Sequence, residues 1–221
     1  MAFVEYLTGA SSVEIKQYVV EISSDKKFHE QLERTWQNFS RRSSVWWAPG
    51  VGKTLGMAIY VLCRELKPSH VVETGVSTGV SSSYILHALA KNQYGLLHSV
   101  DFPQYDSPPN HNISKPETGW LIPEGLRERW HLTIGKSQDK LIPVLEKIQT
   151  IDVFLHDSEH TYQNMMWEYR TVWHYLRIGG VLLSHNIDMN SAFPNFCRNT
   201  SSPFFYFAGM GGTSKTGTSV H

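Results

Sequence analysis

The stretch His70-Val-Val-Glu-Thr-Gly-Val-Ser-Thr-Gly-Val-Ser-Ser-Ser-Tyr-Ile-Leu86 changes character twice. An apolar, β-branched run stops on Glu73, the chain bends through Gly75 and Gly79, and a Ser-rich helical pattern follows. A strand that ends on a carboxylate and turns through glycines into a helix brings bare backbone N–H groups and a helix N-terminus to one point. Such a point suits a nucleotide-like ligand at the carboxyl edge of a parallel sheet.

Working outward, strand and helix signals alternate. His70–Gly75, Leu96–Asp101, Trp130–Ile134, Ile151–His156 and Gly180–His185 read as strands. Val80–Lys91, Gln138–Ile148 and His160–Leu176 read as helices between them. This alternation predicts an α/β fold: a mostly parallel sheet with helices on both faces. Upstream, helical spacing of Val13, Tyr18, Val19, Ile22, Phe28, Leu32 and Trp36 predicts two helices, or one broken helix, over residues 11–40. A further helix is expected over Thr54–Leu66, stopped before Pro68. Residues after Pro203 form two β-runs around a Gly-rich turn, an antiparallel closing hairpin. The Pro- and Asn-rich segment Phe102–Gly125 is too long for an ordinary connection and is expected to wall a substrate site, with Trp120 its best aromatic candidate.

Composition removes several classes of function. Lys plus Arg and Asp plus Glu each number 20, so the chain lacks the charge footprint of a nucleic-acid binder. Cys63 and Cys197 stand in unrelated contexts, which suggests neither a disulfide framework nor a zinc knuckle. No apolar run reaches membrane-spanning length and the first residues lack a signal-peptide pattern, so the expected setting is cytoplasmic and free of membrane. The hydrophobic share of 41% suffices for one well-buried core.

Two motifs need sorting. Gly50-Val-Gly-Lys-Thr54 imitates the end of a phosphate-binding P-loop, but Trp47 stands where the first glycine belongs and no apolar strand feeds it. Lys53 and Thr54 are instead expected to open a helix. The turn after Glu73 is spaced Glu-x-Gly-x-x-x-Gly, a poor match to the G-x-G-x-x-G of nicotinamide folds. Asp101 ends the following strand, where a carboxylate can accept both hydroxyl hydrogens of a ribose; the plainer reading is a loop cap.

Three further segments complete a resemblance. Gly135-Lys-Ser-Gln-Asp, Ile151-Asp-Val-Phe-Leu-His-Asp-Ser-Glu-His-Thr-Tyr and Gly179-Gly-Val-Leu-Leu-Ser-His-Asn follow in order. With the first turn they resemble the class I S-adenosylmethionine-dependent methyltransferases, in particular the catechol and caffeoyl-CoA O-methyltransferases and a broad bacterial group carrying Asp-x-x-His-x-Tyr. Similarity runs from about Thr54 to Asp188. The resemblance implies a Rossmann-like, seven-stranded sheet, with a helical extension over 1–53 and an S-adenosylmethionine-binding domain over 54–221. It places Glu73, Thr74, Gly75, Gly79 and Ser81 around the methionine half of the cofactor, and Asp101 on the ribose. Ser137 and Gln138 would flank the adenine, although Ser137 can equally cap a helix. Asp157 would face the sulfonium or hold a metal.

The resemblance also implies a divalent metal, Mg²⁺ or Mn²⁺, on Asp157, His185 and Asn186, with Glu159 and Asp188 in reserve. Here the chain departs from the catechol-like pattern, whose last strand ends Asp-Asn where this one has His185-Asn186. An imidazole in that place moves preference away from Mg²⁺. His160 stands where the catechol-like family has its catalytic lysine. A near-neutral imidazole suits proton removal from a hydroxyl, so His160 and His185 compete for the role of base, against a structural role for His160. The resulting expectation is O-methylation of a small molecule by a protein that is plausible as a homodimer. The alternatives are a metal-dependent reaction such as hydroxylation on the same scaffold, or a non-catalytic cofactor-binding partner.

Overall fold

The computed structural model describes residues 2–40, 51–102 and 117–217. Its strands are β1 (His70–Thr74), β2 (Leu96–Asp101), β3 (Trp130–Ile134), β4 (Ile151–His156), β5 (Leu176–Ser184), β6 (Phe204–Phe207) and β7 (Met210–Ser214). They form one seven-stranded sheet in the order β3-β2-β1-β4-β5-β7-β6. The first five are parallel, and β7 returns antiparallel to β5 and pairs with β6 as a hairpin.

Helices cover both faces. α1 (Ala2–Thr8), α2 (Ser12–Ser24), α3 (Lys26–Ser40), α4 (Lys53–Leu66) and α5 (Val80–Asn92) share one apolar cluster with Val71, Leu97, Val153 and Leu155 of the sheet. α6 (Ser137–Ile148), α7 (Tyr162–Tyr175) and α8 (Ala192–Asn199) share the other with Val72 and Phe154. Neighbouring residues of β1 and β4 thus serve opposite faces, which is why Val71-Val72 and Val153-Phe154-Leu155 are unbroken apolar stretches within them.

The switch in strand order falls at β1, flanked by β2 on one side and β4 on the other. Thr74 is level with Val100 of β2 and His156 of β4. The next residues, Gly75, Asp101 and Asp157, therefore emerge side by side at the carboxyl edge, where ligands of doubly wound sheets bind.

Several boundaries differ from expectation. α1 and α8 carry short apolar patterns (Phe3, Val4, Leu7; Phe193, Phe196, Cys197) that sequence reading passed over, and a 3₁₀ turn spans Glu124–Arg129. β5 begins at Leu176 rather than Gly180, because Leu176 already pairs with Ile151 and leaves no connection after α7. α7 begins at Tyr162, capped by Thr161, so His160 lies in the turn before the helix. The pair of helices over residues 11–40 is real: Ser11 and Glu14 close a capping box on α2, and Asp25 breaks the run by accepting the Phe28 N–H. Lys53 opens α4 behind Gly52. Trp47 and most of the segment 102–125 lie outside the described residues.

The N-terminal helices belong to the main core. Ile15 and Ile22 of α2 are buried against α4, where Glu21 also accepts hydrogen bonds from Arg64 and Tyr60. Ile22→Ala is expected to destabilise the protein by about 2–5 kcal/mol. In urea unfolding the whole transition should move as one; a separate early transition would mark the N-terminal helices as an appendage.

Candidate active site at the carboxyl edge

Gly75 sits at φ +83°, and a Cβ there would lie 2.1 Å from the Asp157 carbonyl oxygen. Only glycine lets the turn after β1 pass this close to the turn after β4. The approach is fastened on both sides: the Gly75 N–H donates to the Val100 carbonyl, and the Asp157 N–H to the Thr74 carbonyl. Gly79, also left-handed, is the N-cap of α5 and packs against Gly119 and Ile122.

Beneath the turn, Glu73 has no exposed surface and its carboxylate accepts hydrogen bonds from the hydroxyls of Ser81, Ser82 and Ser99. Burial pushes its carboxyl up to about 7 against the pull of those three donors. Glu73 and Ser81, read from sequence as cofactor contacts, are thus bonded to each other inside the fold, joining α5 to β1 and β2. The Thr74 side chain is likewise enclosed and donates to Glu168.

Asp101 lies just above. Its Oδ1 accepts the Val76 N–H at 3.0 Å and its Oδ2 the Thr118 hydroxyl at 2.8 Å. Asp101 therefore braces the glycine turn from the side and ties it to Thr118. Across the edge, Ser137 and Gln138 open α6, and the Gln138 amide donates to Asn164 Oδ1 at 2.6 Å. Lys136 is the N-cap of α6, so Ser137 is its first helical residue and not its cap.

Asp157, His160 and His185 converge at the ends of β4 and β5. His185 Nδ1 lies 2.8 Å from Asp157 Oδ1, and His160 Nε2 lies 3.6 Å from the same oxygen. Burial disfavours the His185 imidazolium, but the Asp157 bond and charge outweigh it and raise the imidazole above its ordinary value. His160 shifts the other way, held neutral by burial and by neighbouring His156 and His185. Asn186 follows in a left-handed conformation, φ +52°, while Glu159 and Asp188 are exposed at the rim.

Under this trio lies a network the sequence reading missed. Fully buried Glu168 of α7 accepts from Thr74, Ser158 and Asn164 and pairs with His156 Nδ1 at 2.7 Å. Burial would raise its carboxyl, but His156 and the donors hold it down at about 2. The signal was there: Glu168 interrupts an otherwise apolar stripe of Met165, Tyr169 and Val172 on α7. A carboxylate in a buried stripe implies a dedicated set of partners.

A groove of about 690 Å³ runs between α3, α4 and α5, lined in part by Trp36, Val51, Val80, Tyr84 and Leu121. Trp120 stacks on Trp36, ring centroids 5.8 Å apart.

Residues 72–187 match a family model described as a methyltransferase domain. No curated protein matches the chain. Among solved structures, the chain is similar to an O-methyltransferase from Bacillus cereus in complex with SAH, at 16% identity and TM-score 0.64, over 96% of this chain and 100% of that one. It is also similar to TomG, an O-methyltransferase from Streptomyces achromogenes involved in tomaymycin synthesis and bound to SAM, at 15% identity and TM-score 0.65, over 88% and 91% of the two chains. An SAH-bound methyltransferase from Podospora anserina aligns at 12% identity and TM-score 0.62, over 91% and 94%.

The two buried carboxylates make opposite pH predictions. Glu168 is depressed, so its stabilisation is complete above about 4.5 and is lost as pH falls toward about 2. Glu73 is raised, so its contribution is complete below about 4.5 and is lost as pH rises through about 7. Urea midpoints measured against pH should show Glu168→Gln flattening the acid limb, with a loss of about 3–5 kcal/mol at neutral pH. Glu73→Gln should instead remove the decline between pH 4.5 and 7.

Proposed function

Because this chain belongs to the methyltransferase-domain family, we propose that it moves the methyl group of S-adenosylmethionine to a hydroxyl oxygen of a small molecule. The observation that carries this reading is the alignment of Gly75, Asp101 and Asp157 at the ends of three adjacent parallel strands, with His185 bonded to Asp157. Solved structures of the same fold that hold SAM or SAH support the choice of donor.

In this reading the turn 75–79 receives the amino-acid end of the donor on backbone groups, Asp101 accepts from its ribose hydroxyls, and Ser137 and Gln138 lie along its base. The acceptor oxygen attacks the methyl carbon in line with the sulfur. The C–S bond breaks, its electron pair stays on sulfur as S-adenosylhomocysteine leaves, and the hydroxyl proton passes to a histidine. His185 is the better placed base, since Asp157 orients its ring and stabilises the imidazolium it becomes. A divalent ion held by Asp157 and His185 would take the place of that proton acceptor, its positive charge making the acceptor hydroxyl easier to ionise. The balanced charge of the chain argues against a nucleic-acid substrate.

Calorimetric titration with S-adenosylhomocysteine should show binding by the wild-type protein that Asp101→Ala weakens about 10- to 100-fold, as loss of hydrogen bonds to a charged acceptor does. Absence of binding by folded wild-type protein overturns the reading. Once a hydroxylated acceptor is turned over, His185→Ala should lower kcat by about 10²–10⁴ while S-adenosylhomocysteine affinity stays within a few-fold. An unchanged kcat would remove His185 from the proton transfer.

A further inference from the structure

His160 Nε2 is a buried nitrogen with no hydrogen-bond partner. It points toward Asp157 Oδ1 across 3.6 Å, too far for a hydrogen bond. An unpartnered imidazole nitrogen next to a carboxylate is costly to keep unless something sits between them. His185 Nδ1 approaches the same carboxylate oxygen from the other side at 2.8 Å. One ligand atom each from Asp157, His160 and His185 can be chosen so that all lie within 4.8 Å of one another, a grouping found for no other three such residues among those described. Ligands at about 2.0–2.2 Å from one ion lie roughly 3–3.5 Å apart, so these spacings need only small side-chain adjustments.

We propose that Asp157, His160 and His185 form a binding site for a first-row transition-metal dication, with His160 rather than Asn186 as its third protein ligand. The donor set is two imidazoles and one carboxylate. Mg²⁺ requires oxygen ligands in near-ideal octahedral geometry and is poorly served by it, whereas Mn²⁺, Fe²⁺, Co²⁺ and Zn²⁺ accept imidazole readily. Three protein ligands leave coordination positions open. The trio also reaches solvent, with side-chain exposures of 14%, 18% and 10%, so an ion has a way in. The surroundings hold the ligands in place: the His185 N–H donates to the His156 carbonyl, Asn190 donates to the His160 carbonyl, and the His156 ring meets His160 edge-on. Each imidazole nitrogen that binds the ion gives up its proton, so loading exchanges the proton-accepting role of the trio for a fixed positive charge at the same point.

The site deepens the reading of this edge as the reaction centre and rests on it for its meaning, although metal binding itself is measured without any methyl donor. Metal-stripped full-length protein is titrated with Co²⁺, followed by its visible ligand-field bands, and with Mn²⁺, Zn²⁺ and Mg²⁺ in competition by calorimetry. The expected result is one Co²⁺ per chain with imidazole-type bands, displaced by Zn²⁺ and not by Mg²⁺. His160→Ala should weaken binding at least about 10-fold, Asn186→Ala should leave it within about two-fold, and circular dichroism should show both variants folded. His160→Gln provides a second variant should the alanine form fail to fold. Wild-type protein that binds no Co²⁺, Mg²⁺ that competes on equal terms, or a His160 variant that binds as tightly as wild type would each overturn the proposal. Titration with S-adenosylhomocysteine in the same preparations separates the two ideas, because loss of metal binding with retained cofactor binding leaves the methyltransferase reading standing.

Discussion

The close pass of Gly75 over the Asp157 carbonyl is the constraint on which the rest of this edge depends. β1 and β4 are hydrogen-bonded neighbours, so the turns leaving them compete for the same space. Removing one side chain resolves the competition and brings a glycine turn and a carboxylate turn into contact. Everything proposed for the edge follows from that contact. The glycine turn and the turn that carries Asp157 can stand this close only because no Cβ holds them apart.

Two buried carboxylates then fix the edge from below in different ways. Glu73 ties α5 to β1 and β2 through three hydroxyls, a set of neutral donors too weak to overcome burial. Glu168 ties α7 to β1 and β4 through a histidine and several donors, strong enough to keep it ionised. In both cases burial disfavours the charged carboxylate, and the number and kind of donors facing it decide how far that is offset. The Glu168 network also holds His156, whose carbonyl receives the His185 N–H, so the core is tied directly to the Asp157–His160–His185 trio.

Much of this was legible in the residues themselves. Strands β2, β3 and β4 lie where alternation and apolar runs put them; for β4 the reason is burial on both faces, whereas β3 sits at the sheet edge and was marked by its β-prone residues alone. The glycine turn was legible for the same kind of reason, since local backbone demands write themselves into local sequence. α1 and α8 were not, because each is short and takes its stability from packing rather than from a long periodic pattern. The surroundings of Glu73 were not legible either: nothing local in the sequence announces that Ser82 and Ser99 donate to its carboxylate.

The one-dimensional order of residues thus settles the fold class, the parallel sheet, the glycine turn, and the presence of Asp101, Asp157, His160 and His185 near strand ends. Strand register and close packing settle what those groups do to one another. Asp157, His160 and His185 are separated along the chain by up to 28 positions, yet share one carboxylate oxygen. That convergence comes from β4 and β5 lying side by side and ending level, a long-range pairing that no local pattern encodes, because the energy that sets it is distributed over the whole buried sheet.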